Sequence, residues 1–139
     1  MITELMMPWY RVGVKPFQPL IEEAPKMVLT VSLLLTAACI VPAAAKLLGH
    51  AKMRASAAHF GIPWSRYRLI GVAELAAAVG VLAGVVGRPL GIAAATGMAV
   101  LLVGALVAHR RAGDRPREAT PAFATLGLTA AYLAVVVAL

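Results

Sequence analysis

The chain has 139 residues, of which 61% are hydrophobic and 14% charged, and its formal net charge is +7. A soluble domain is nearer half apolar and a quarter charged, so a water-soluble single domain and a disordered tail are both disfavoured. One cysteine argues against a disulfide scaffold, and basic residues set between apolar segments, with no nucleic-acid motif, speak for orientation in a bilayer rather than nucleic-acid binding.

Residues 1–26 carry Pro8, Pro16, Pro19 and Pro25 with three acidic and three basic residues, and no helix or strand pattern lasts there. They read as an interfacial arm with Trp9, Tyr10 and Phe17 at headgroup level, or as an over-called leader before a start at Met27. Four stretches then approach the ~20 apolar residues a spanning helix needs: 27–45, 69–86, 89–108 and 122–139. Ala43-Ala44-Ala45 resembles a small-residue cleavage site, but the preceding charged segment has no net positive charge, against a signal peptide. Pro42 is expected to free the carbonyl of Ala38 and kink the first span, and Cys39 reads as a small buried residue. Between the first two spans, His50 to Phe60 has good helix formers and Gly61-Ile62-Pro63 stops them. A short helix on the membrane surface is expected there, with Trp64 and Tyr67 marking the interface. Gly87 suits a helix end and Pro89 a helix start, so the second and third spans should form a tight hairpin.

The expected fold is an all-α membrane protein, a four-transmembrane-helix bundle with a short interfacial helix between spans one and two, occupying residues 27–139. Lines of small residues (Ala76, Gly80 and Gly84; Gly91 and Ala95; Gly104 and Ala108; Gly127 and Ala131) suggest close helix packing, although an Ala- and Gly-rich chain produces such spacings by chance. The segments 46–68 and 110–121 hold nine Lys and Arg residues against four elsewhere. The positive-inside rule then places both long loops in the cytoplasm and both termini outside a cell membrane.

Glu74 is the most informative residue, because a carboxylate inside a span costs about 2.5–3.5 kcal/mol and is usually paired or functional. Its face continues through Ala77, Ala78 and Val81, which turns it into the bundle. Lys46, at the end of the first span, and His109, at the end of the third, lie at the same end, with Arg110 next and His50 one turn past Lys46. One reading is a polar pocket for a lipophilic ligand bearing a carbonyl, hydroxyl or quinone oxygen. Lys46 would donate a hydrogen bond there, and Glu74 and His109 would move protons. Tyr132, His50 and Arg110 are candidate ligand-binding residues. The competing reading is a Glu74–Lys46 ion pair that fixes helix register, with His109 at the interface and His50 and His59 on the surface. Thr96 is expected to bond back to its own helix. Three histidines and one cysteine at these separations form no metal motif, and no metal is assigned.

The run AAAKLLGHAKMRASAAHFGIPWSRYRLIGVAELAAAVGVLAGVV, continued by GRPLGIAAATGMAVLLVGALVAHRRAGD, resembles the DoxX-like family of small four-span membrane proteins from about residue 27 to 139. The resemblance puts the family's lysine on Lys46, its G-x-x-E glutamate on Glu74 and its third-span histidine on His109, with Asp114 just after. Where members often have Gly three residues before the lysine, this chain has Ala43, which bears on how closely the helices approach. The resemblance implies an accessory subunit of a quinone-linked membrane redox system, with no intrinsic cofactor and quinone as the ligand. Its expected partners are the bilayer, a lipophilic small molecule, a soluble oxidoreductase or a second copy of the chain. The alternatives are a small membrane isomerase or cyclase using Glu74 acid–base chemistry, and a structural scaffold.

Overall fold

A computed structural model describes the backbone of residues 18–138 and the side chains of residues 23–138. The described residues form helices and turns: α1 (Gln18–Leu47), α2 (Ala51–His59), α3 (Trp64–Ala83), α4 (Arg88–Arg111) and α5 (Thr120–Ala138). Three segments, Glu23–Leu47, Arg88–Arg111 and Thr120–Ala138, are long and apolar enough to cross a membrane. With 20 residues, α3 is about 30 Å long, the thickness of a bilayer core, but it carries Arg66, Arg68 and Glu74.

The helices start and stop where local chemistry directs. Helix α1 begins at Gln18, nine residues before the expected Met27, so Pro19 and Pro25 belong to a helix rather than to an irregular arm. The expected headgroup contacts of Trp9, Tyr10 and Phe17 lie outside the described residues. Helix α1 ends at a left-handed Gly49 (φ 72°), with the His50 amide donating to Ala45 and the Gly49 amide to Lys46. This is the six-to-one and five-to-two pattern that satisfies orphan carbonyls. The short α2 forms where the sequence predicts it. Arg54 ties it to both neighbours, donating to the Gly49 carbonyl at 3.2 Å and lying 4.8 Å from the Trp64 ring centroid. Gly87 is the N-cap of α4 rather than the end of α3, which gives way to a turn at Gly84.

The four long helices pack in a ring, α1 on α3, α3 on α4, α4 on α5 and α5 back on α1. Leu35, Ala78, Val81, Ala95, Met98 and Tyr132 form the core along its axis, with Cys39 buried 3.7 Å from the Met98 sulfur. Close approach is concentrated where α3 meets α4. A methyl on Gly80 would come within 2.6 Å of the Ala94 side chain, and one on Gly84 within 2.6 Å of the Gly91 backbone. The lines from Gly104 and from Gly127 do not pack in this way: both glycines face open space and Ala131 is exposed, as is Ala76 at the start of the first line. Thr96 bonds back to the Ile92 carbonyl at 2.8 Å, as expected. Opposite the α2 end, Arg88 donates to the Val137 carbonyl at 3.0 Å, placing a cation on the C-terminal dipole of α5.

Candidate functional site

The Lys46 ammonium donates to both carboxylate oxygens of Glu74, each at 2.6 Å. The lysine side chain is 9% and the glutamate 15% exposed. Local sequence explains the depth. Ala77, Ala78 and Val81, on the same face of α3, are buried and carry Glu74 inward. Gly71, one turn earlier, lets α3 settle on α1, since a methyl there would be 2.9 Å from the Lys46 Cβ and 3.2 Å from the Ala43 carbonyl. The glycine of this close approach is thus on α3, facing a fully buried Ala43 on α1. The buried Tyr67 ring covers the ammonium, its centroid 5.5 Å from Nζ. Both charges of the pair are compensated, and the aromatic face stabilises the cation further.

His109 lies at the same end of the bundle but is engaged elsewhere. Its Nδ1 is 2.5 Å from one Asp114 oxygen, and the other Asp114 oxygen is 2.6 Å from His59 Nε2. Gly113, left-handed at φ 75°, closes α4 and turns the chain so that Asp114 reaches back over the last turn. The Asp114 amide donates to the His109 carbonyl in the same motif. Phe60 packs edge-on against the His109 ring, with centroids 4.8 Å apart. The clasp joins the 46–68 and 110–121 segments, so the two basic loops share one end of the molecule. The His59 hydrogen bond, aided by His109, holds the Asp114 carboxyl below its usual range although partial burial opposes this.

The other sequence candidates go to separate places. His50 caps α2, its Nδ1 accepting from the Lys52 amide at 3.3 Å. Arg110 lines a cavity of about 410 Å³ between the adjoining ends of α4 and α5. Tyr132 is fully buried, its hydroxyl held against Gly84 and Gly91 with the Val81 carbonyl 3.5 Å away. Gly84 lies ten residues beyond Glu74, or about 15 Å along α3, so Tyr132 fills the opposite end of the bundle. The sequence marks Tyr67 only as an interface residue; His59 is at the surface, as expected, but its bond to Asp114 has no sequence signal. The signal for Tyr67 was its spacing, seven residues before Glu74 and therefore on the same helical face.

A family model described as the DoxX-like family matches residues 30–138, which include Lys46, Glu74, His109 and Asp114. No curated protein and no solved structure matches the chain. The match covers more than three quarters of the sequence, and the chain is a membrane protein that belongs to the DoxX-like family.

Proposed function

We propose that the chain is a four-span accessory subunit of a quinone-linked redox system in a cell membrane, with α3 as the fourth span. Packed between α1 and α4 at about bilayer length, α3 has its arginines in the first two turns, where they reach headgroups. Both basic loops lie on one side, which supports a cytoplasmic placement for them and outside termini. They also suit an acidic soluble oxidoreductase as partner.

The observation that carries the functional reading is the buried Lys46–Glu74 pair. An intramembrane ion pair marks a ligand or proton site more often than a neutral stretch does. The ammonium has three donors and gives two of them to Glu74, so one remains for a carbonyl oxygen of a lipophilic ligand. Cys39 and Met98 close the core deeper in the bundle, 3.7 Å apart and buried, so the ligand's place is at the level of the ammonium. A quinone carbonyl would suit that third donor, and a quinone when bound supplies two-electron, two-proton redox chemistry. Lys46 would orient the oxygen, Glu74 would hold Lys46 in place and exchange a proton, and Tyr67 would shield the pair from water. The test is purification in lipid nanodiscs with mass spectrometry of bound small molecules, wild type beside Glu74→Gln. Quinone retained by wild type and lost from a folded variant is the expected result; an empty wild type refutes it. A non-quinone lipophilic compound would instead favour acid–base isomerase or cyclase chemistry at Glu74, with His109 moved from its clasp to assist.

A scaffold reading is favoured by one observation: a single ammonium meets both Glu74 oxygens beside the tight Gly71 contact. It predicts that Glu74→Gln lowers stability without changing what co-purifies.

A further inference from the structure

We propose that the cavity between the ends of α4 and α5 is a binding site for one anionic phospholipid. The cavity is about 410 Å³, within the roughly 300–1,000 Å³ of small-molecule sites. Val103, Leu106, Val107 and Phe123 line it, and Arg110 and Arg115 border it. Val103, Val107 and Phe123 are 51%, 43% and 55% exposed, open on the side a bilayer would cover. The apolar lining runs from Val103 to the level of Arg110, seven residues or about 10 Å of helix, a depth that suits the upper part of an acyl chain. Both helices are apolar enough to span a membrane, so this end of each lies at headgroup level.

Charge decides which lipid fits. Among the described residues, neither the Arg110 nor the Arg115 guanidinium forms an ion pair. Asp114, the acidic residue of the lining, is held between two histidines. The mouth therefore presents two available forks suited to phosphate oxygens above an apolar slot. A phosphodiester on a diacyl chain satisfies both halves of the site. A zwitterionic lipid brings a trimethylammonium to the same arginines, and a soluble phosphate leaves the slot unfilled.

The test is native mass spectrometry of the delipidated full chain, titrated with phosphatidylglycerol or phosphatidylcholine of matched chains. Wild type should retain one phosphatidylglycerol at least about tenfold more tightly than phosphatidylcholine, two arginine contacts being able to supply that ratio. Glycerol 3-phosphate should fail to displace it. Arg110→Gln with Arg115→Gln should abolish the preference. Arg66→Gln with Arg68→Gln removes the same charge from exposed positions at the same end and should leave it intact. Equal retention of the two lipids by wild type, displacement by glycerol 3-phosphate, or equal loss in both double variants would overturn the proposal. All four substitutions are at exposed positions, and circular dichroism verifies that each variant folds.

Discussion

The Lys46–Glu74 pair makes a quantitative prediction that does not depend on a ligand. Both side chains are at least 85% buried and the carboxylate is met on both oxygens at 2.6 Å. Removing one charge strands the other in a low-dielectric setting, which costs about 3–5 kcal/mol when a buried pair is broken. Glu74→Gln keeps one acceptor for the ammonium and Lys46→Met keeps the chain volume, so each should lose about 3 kcal/mol, at the lower end of that range. The double variant has no charge to strand and should lose no more than either single, giving a coupling energy of about 3 kcal/mol. Reversible unfolding in mixed detergent micelles, followed by circular dichroism, measures all three. Losses that simply add, to about 6 kcal/mol in the double variant, would mean that the charges do not meet and would refute the geometry.

Three further outcomes follow from the packing and the clasp. Gly84→Ala or Gly91→Ala forces a methyl onto the Tyr132 hydroxyl and the facing backbone and should cost about 1–3 kcal/mol, whereas Gly97→Ala and Gly104→Ala point into open space and should gain up to about 1 kcal/mol of helix stability; thermal unfolding separates the two pairs. Gly113→Ala places a β-carbon at φ 75°, costs about 1–2 kcal/mol, and should shift the ring resonances of His59 and His109 as Asp114 is displaced. Because the folded-state pKa of Asp114 lies below its ordinary 3.8, its stabilisation is present above that value and lost as pH falls through the depressed one. The stability difference between wild type and Asp114→Asn should be complete by about pH 5, with the unfolded carboxyl then ionised, and shrink progressively as pH falls below 3.8. A difference unchanged across that window would show that the carboxylate is not what holds the clasp.

The pairing of Lys46 with Glu74 was legible in the sequence because two constraints act together. Alternating helices fix which ends are neighbours, and a buried carboxylate needs a cation. The α2 helix was legible from its run of good helix formers and the Gly61-Ile62-Pro63 stop, where Gly61 turns left-handed at φ 65°. The beginning of α1 was not, because Pro19 and Pro25 read as breakers unless their place in the helix is known. Nor was the partner of His109. Asp114 lies five residues away, past the helix end, and only the left-handed turn at Gly113 folds it back within reach. The close-packed glycines could not be told from the open ones, since Ala and Gly occupy every face of α3, α4 and α5.

The ring order of the helices also constrains how the molecule assembles. Helices α3 and α4, joined by a short turn, have their mutual contact as soon as both exist. The seam between α1 and α5 can close only when α5, made after the other four helices, arrives. That helix carries Tyr132, the largest fully buried side chain among the described residues, which reaches across to the Gly84–Gly91 crossing. Until it docks, the two-glycine gap stands open and the flanks of α1 and α4 lack a neighbour. Closure of the ring thus waits for α5, and a ribosome stalled before residue 132 would leave a three-walled intermediate with that seam open.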